Sequence, residues 1–357
     1  MSGTTFDGVD AALVQTDGHK IKKIGETHLV SYPEDFRNKI RHVISGTPSL
    51  REILELEDEI TLFHCKTVQQ LLKKSGLKQQ DIDAVAFHGQ TIYHDAKKSK
   101  TWQLANGSLM AKELGINVIN DFRRRDIAQG GEGAPLVPFY HLAISEKIPK
   151  PVAFVNIGGV SNITFINQKD EMIAFDTGPG CALIDDWMYT RLKSPFDYNG
   201  ETAASGVANK TKIDHLISNS KFFTQPPPKS LDRNEFSNIF RKLSSLNTAD
   251  GAATLTELTA RSIHEAKKFL PEPPKMWIIC GGGRKNKHLM NLLNNKYAIK
   301  AVNIDQVKFG SFSINGDFVE AQAFAFLAAR SILKLPITLP STTGTIQPAS
   351  GGAFYLA

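Results

Sequence analysis

Met1-Ser2-Gly3-Thr4-Thr5-Phe6-Asp7-Gly8-Val9-Asp10, running on into Ala11-Ala12-Leu13-Val14, carries the first structural signal of this chain. Two glycines bracket two threonines and an aspartate, so backbone N–H groups and hydroxyls can reach an anion through a turn that needs glycine's dihedral freedom. Such a composition suits a phosphate. Residues 9–14 read as a strand leaving the turn, which is neither the context nor the G-x-x-x-x-G-K-[ST] spacing of a Walker loop. Taken alone, the stretch is better read as an ordinary glycine-rich hairpin turn.

The same pattern returns 150 residues later. Val152-Ala153-Phe154-Val155-Asn156-Ile157 is an apolar strand, Gly158-Gly159-Val160-Ser161-Asn162 a turn, and Ile163-Thr164-Phe165-Ile166 a second strand. Two strand–turn–strand loops predict two similar α/β domains closing on one polyphosphate. A third turn, Gly281-Gly282-Gly283-Arg284, follows the strand 276–280. Three consecutive glycines predict close backbone approach to something flat or bulky, such as an adenosine.

Between these turns, residues 40–54 and 60–75 show helical spacing that stops at Gly76. The run 82–87 is a buried strand delivering His88-Gly89-Gln90-Thr91 at its carboxyl end. His88 then either faces a cleft or is satisfied within its loop. The block Asp121-Phe122-Arg123-Arg124-Arg125-Asp126, ahead of Gly130-Gly131-Glu132-Gly133, is either a solvated charge run or an ordered loop holding a polar ligand. After the strand 172–175 and Asp176-Thr177-Gly178-Pro179-Gly180, a helix carries Asp185 and Asp186 near its start. They are either acids favouring a helix N-terminus or, one of them, a general base. The helix 317–329 is rich in small residues and suited to tight packing. Its Glu320 is exposed, at the helix mouth, or functional.

Length and composition set the limits. The 357 residues, 41% of them hydrophobic, suffice for two domain cores. No apolar run approaches 18 residues and no charged-then-apolar leader opens the chain, so neither a membrane span nor a signal peptide is expected and the setting is cytoplasmic. Cys65, Cys181 and Cys280 are widely spaced, which predicts free thiols rather than disulfides or zinc. The net charge of +6 comes from lysines scattered without interleaved aromatics, so no nucleic-acid partner is expected.

Taken in order, MSGTTFDGVDAALV, AFHGQTIYH, NDFRRRDIAQGGEGAPLVP, FVNIGGVSNIT, FDTGPGCALIDDW, ATLTELTA, CGGGRKNKHLM and GDFVEAQAFAFLA resemble the anhydro-N-acetylmuramic acid kinases, members of the sugar kinase, heat-shock ATPase and actin superfamily. The resemblance spans nearly the whole chain. It implies two actin-like (ribonuclease H-like) domains, 1–128 plus 340–357 and 129–339, with an interdomain ATP and sugar cleft. It implies ATP with Mg²⁺, a small-molecule sugar substrate and a homodimer. The implied reaction opens the 1,6-anhydro bond of 1,6-anhydro-N-acetylmuramic acid and phosphorylates the released 6-hydroxyl, a step of cell-wall recycling. The alternative is an actin-like ATP-binding protein without turnover. Asp185 is implied as the base. Gly3, Thr4, Thr5, Phe6, Asp7, Gly8, Val9, Asp10, Gly158, Gly159, Gly281, Gly282 and Gly283 are expected to hold the nucleotide, with Asp7 at the metal. His88, Asp121, Arg125 and Glu320 are expected on the sugar. Departures from the family are Cys181 where asparagine is usual, Leu231-Asp232 where a Ser-Thr-Gly turn is usual, and a start at Met1-Ser2-Gly3 where a strand usually precedes the loop. The last predicts a first sheet short of one ladder and a loop tethered on one side only.

Overall fold

A computed structural model of the chain describes residues 1–3, 6–231, 236 and 238–357. The expectations placed on Thr4, Thr5 and Asp232 lie outside the described residues. The described chain forms two compact units, Met1–Ile144 with Phe318–Ala357, and Ser145–Asp317.

The first unit opens with β1 (Gly8–Thr16) and β2 (Ile21–Ser31), an antiparallel hairpin. Helices α1 (Glu34–Ser45) and α2 (Leu50–Ser75) follow. Ser49 starts α2 with a reciprocal capping box to Glu52, and Gly76 ends it in the left-handed region at φ 70°. The expected gap at residues 55–59 is therefore helical too. Next come β3 (Val85–Ala86), the hairpin β4 (Gln90–Asp95) and β5 (Lys100–Leu104), α3 (Gly107–Leu114), β6 (Val118–Asn120), α4 (Arg124–Ala128) and α5 (Pro138–Ile144). The strand expected over 82–87 shrinks to two residues, because among the described residues β3 pairs on one edge only, in parallel with β6.

The second unit is built on β7 (Val152–Ile157), β8 (Val160–Ile166) and β9 (Met172–Pro179). Then come α6 (Ala182–Leu192), the long α7 (Thr248–Glu265), β10 (Met276–Cys280) and β11 (Ala301–Asn303). Its five-stranded sheet has the order β11-β10-β7-β8-β9. The strands β7, β10 and β11 run parallel, and β8 is antiparallel to both neighbours. That order and direction are those of a ribonuclease H-like domain. The apolar run of β7 is buried along nearly all its length, as a central strand covered on both faces requires. Alanines, threonines and glycine let α7 pack closely enough to bury most of its residues.

The chain then re-enters the first unit through α8 (Val319–Ile332), and β12 (Ala353–Tyr355) pairs antiparallel with β6. The unit boundaries, 144 and 318, differ from the expected 128 and 340. Both α5 and α8 belong to the first unit. The Tyr140 hydroxyl donates to Gln322 Oε1 at 2.6 Å, Arg330 lies 3.9 Å over the Phe139 ring, and its Nη1 donates to Gly18 O at 2.8 Å.

Candidate active site

In the second unit, three backbone turns meet at the carboxyl ends of β7, β9 and β10. The Cys181 and Gly180 N–H groups donate to Gly158 O (2.7 Å) and Gly159 O (3.0 Å), so the head of α6 is fastened to the β7–β8 turn. A Cβ on Gly180 would lie 2.2 Å from Gly158 O, which makes glycine obligatory there. On the other flank, a Cβ on Gly281 (φ 75°) would sit 2.6 Å from Ile157 O, and one on Gly283 2.4 Å from Ile157 Cγ2. Both glycines thus have a packing reason, against the expectation that only a ligand explains them. Gly282 differs: a Cβ there meets nothing within 4 Å. Gly158 and Gly159 likewise leave ordinary clearance.

Arg284, which sequence reasoning passed over, locks this turn. Only 4% exposed, it donates from Nη1 to Gly281 O, from Nε to Asp305 and from Nη2 to Asp317, each at 2.9 Å. Its partners lie 21 and 33 residues downstream, a separation that leaves no periodic trace in sequence.

Asp185 is half-buried in the first turn of α6. Burial first, then the negative charges of Asp186 and Asp197, push its carboxyl up to about 7. Asp186, its exposed neighbour, points roughly 100° away around the helix. Burial also pushes the Cys181 thiol up to about 12, so it stands neutral at the head of the helix and offers no amide donor.

In the first unit, the opening loop is moored on both sides. Met1 and Asp10 exchange two backbone hydrogen bonds of 2.8 Å, Ser2 Oγ donates to Gly89 O, and Gln90 Nε2 donates to Gly3 O. This corrects the expectation of a loop held on one side. Gly8 is required by close strand contact, 2.4 Å from Val30 O to its notional Cβ, and the Val9 side chain is core. Packing thus accounts for the lack of a side chain at Gly8 and for the apolar side chain at Val9. Phe6, at φ 55°, packs against the same core. Asp7 is exposed on this loop, while Asp10 lies within the paired part of β1, opposite Leu29.

His88 is buried with both ring nitrogens in use. Nδ1 lies 2.8 Å from Gly89 O, and Arg123 Nε donates to Nε2 at 2.9 Å. The ring is therefore neutral, held well below its ordinary pKa by burial and by Arg123. No nitrogen remains for a sugar, so His88 positions Arg123 instead. Arg123 also donates to Gly133 O at 2.7 Å. Hydrogen bonds hold the loop, and its organising acid is Asp126. Only 1% exposed, Asp126 accepts from Gly133 N (2.7 Å) and the Thr343 hydroxyl (2.6 Å). Asp121 adopts φ 55° and faces Arg124 at 3.6 Å, and Arg125 is exposed. Left-handed backbone at a non-glycine concentrates at functional loops. Glu320 stands in the first turn of α8, facing the charges of Arg123 and the Met1 ammonium. Desolvation raises its carboxyl against their pull, although the side chain keeps a solvent-facing surface.

Among the described residues no helix is long and apolar enough to cross a membrane, and Cys65, Cys181 and Cys280 are free. The family model for anhydro-N-acetylmuramic acid kinase matches residues 1–357. The anhydro-N-acetylmuramic acid kinase of Rhodospirillum rubrum is 42% identical, over 100% of this chain and 93% of that protein. That of Paramagnetospirillum magneticum is 40% identical over 100% and 98%.

Proposed function

Because this chain belongs to the anhydro-N-acetylmuramic acid kinase family and is a kinase, we propose that it couples hydrolysis of the 1,6-anhydro bond of 1,6-anhydro-N-acetylmuramic acid to phosphorylation of O6 by ATP. Water oxygen bonds to C1, the C1–O6 bond breaks, and O6 takes the γ-phosphoryl group. The products are N-acetylmuramic acid 6-phosphate and ADP, which serve cell-wall recycling in the cytoplasm, and the working form is a homodimer.

Asp185 accepts the water proton. The observation that carries this role is its place: a half-buried carboxyl in the first turn of α6, whose head is backbone-bonded to the Gly158-Gly159 turn, with a pKa near neutrality. A base matched to working pH is both ionised and able to take a proton. Gly282 offers an open backbone face that suits the nucleoside. Asp7 offers an exposed carboxylate, and Mg²⁺ needs only one or two of these besides phosphate oxygens. When bound, ATP supplies the phosphoryl group and Mg²⁺ neutralises its charge. Asp121, Arg123, Arg125 and Glu320 hold the sugar in orientation, with His88 fixing Arg123.

The test is ADP release with the anhydro-sugar and ATP, alongside detection of the 6-phosphate. Product formation by the wild type and its loss in Asp185→Asn, with ATP binding kept, is the expected result. Nucleotide binding without product would instead favour the non-catalytic reading.

A further inference from the structure

In the second unit, a cavity of about 260 Å³ lies beside the short helix Lys287–Asn291 that follows the Gly281-Gly282-Gly283 turn. The helix is continuous with that turn: Asn286 N donates to Gly283 O at 3.0 Å, and Asn286 Oδ1 accepts from Leu289 N at 2.9 Å. Gly200, at φ 73°, is packed against it so closely that a Cβ would lie 2.2 Å from Asn286 Oδ1 and 2.7 Å from His288 Cβ. The chain leading from Gly200 to the cavity rim at 206–208 is therefore anchored beside the turn. Val207, Ala253 and Leu292 make the apolar walls, and Glu257, His288 and Lys296 the polar ones. The volume falls below the roughly 300–1,000 Å³ of pockets that enclose a whole small molecule, and suits one planar ring system.

Glu257 stands in the middle of α7, one turn after Ala253, and is only 7% exposed. A buried carboxylate is costly unless it is paired. Only one of its oxygens is: Oε1 accepts from Lys296 Nζ and, at 3.3 Å, from the Tyr297 hydroxyl. Both donors sit at the end of the π-helical turn Leu292–Lys296, which Tyr297 N closes by donating to Leu292 O at 3.1 Å. Such wide turns are frequent at functional sites. The second oxygen, Oε2, accepts no hydrogen bond among the described residues and is not sealed from the cavity. His288 lines the same space. Burial lowers its pKa, so at pH 7 the ring is neutral and presents one N–H and one lone pair.

We propose that this cavity takes the nucleobase of ATP and that Glu257 selects adenine, its Oε2 accepting a hydrogen bond from the exocyclic amine. The inference rests on the ATP-dependent reaction given above. A flat heterocycle covers the apolar walls, its amine supplies the donor that Oε2 lacks, and the neutral His288 ring can serve a ring nitrogen. The open backbone face at Gly282 belongs to the same run of chain, one short helix away. A base with a carbonyl oxygen in the amine's place sets acceptor against acceptor at Oε2. A site built around a buried hydrogen bond rejects such an analogue strongly, because its own polar group is then left unpaired.

Glu257→Gln tests the assignment. Lys296 and Tyr297 both donate to Oε1, so they hold the amide with its carbonyl oxygen there and its NH₂ at the position of Oε2. ADP and IDP, which carry an amine and a carbonyl at the same ring position, are titrated against the full chain. We expect the wild type to bind ADP at least about tenfold more tightly than IDP, and Glu257→Gln to bring the two within about twofold. Tyr297→Phe, which reaches only Oε1, should keep the wild-type preference. A purely structural Glu257 would change both affinities together, so an unchanged ratio in a folded Glu257→Gln protein would overturn the proposal. A wild type that binds ADP and IDP equally would overturn it as well, whether or not the variant folds. If the base preference behaves as expected while ATP and the anhydro-sugar yield no 6-phosphate, the reaction given above fails and this assignment stands.

Discussion

Asp185 and Asp186 are consecutive, yet burial, helix geometry and mutual repulsion give them different chemistry. Asp185→Asn should fold and bind ATP while turnover falls by roughly 10²–10⁴-fold, the usual worth of a positioned base. Asp186→Asn should stay near wild type in rate at neutral pH. Because it removes one of the charges holding the Asp185 carboxyl up, the acid limb of its kcat/KM profile should move to lower pH, as a pH series of initial rates would show. The same shift has a stability consequence. With a folded pKa of about 7 above the ordinary value of 3.8, the contribution of protonated Asp185 is fully present below about pH 4 and is lost as pH rises through 7. Asp185→Asn should therefore stabilise the protein at pH 8, on the order of 2 kcal/mol after solvent screening, and leave it unchanged at pH 4 in denaturant titrations.

The turn after β10 and the loop after β6 are each held by one buried charged residue. Gly282→Val should leave Tm unchanged, since its Cβ meets only open space, while weakening ATP in a binding titration. Gly281→Val should instead fail to fold stably, because its φ of 75° and the Ile157 carbonyl both exclude a side chain. Equal ATP affinity in a folded Gly282→Val protein would remove this turn from the nucleotide site. In the other loop, Asp126→Ala leaves Gly133 N and the Thr343 hydroxyl without their acceptor. Thermal denaturation should show a loss of roughly 2–4 kcal/mol, the cost of stranding two buried donors.

Across the whole molecule the two units differ in how the chain builds them. The first is discontinuous, with α8 and β12 returning after the second is complete. The second is contiguous, and both of its hydrophobic clusters, one around Phe175 and Trp277 and one around Trp187 and Leu255, lie within it. A fragment of residues 145–317 should accordingly unfold cooperatively by circular dichroism, with near-ultraviolet signal from Trp187 and Trp277. A fragment of residues 1–144 should not, because α8 supplies part of its packing and β12 one edge of its sheet.

The local signals in the sequence determined the elements: strand–turn–strand at β7 and β8, the capped helix ended by Gly76, and the strand into three glycines at β10. These depend on neighbouring residues, through backbone freedom, capping and periodicity, so they are written within a few positions. Tertiary structure decided what long separations hide. His88 reads as a ligand until Arg123, 35 positions on, is seen donating to its second nitrogen. Gly281 and Gly283 read as making room for a nucleoside until Ile157 is seen against them. Asp126, one acid of a charged run, becomes the keystone of its loop through Thr343, 217 positions away. The length of β3, too, was set by which edges found a partner, a matter of pairing across the sheet that an apolar run alone does not encode.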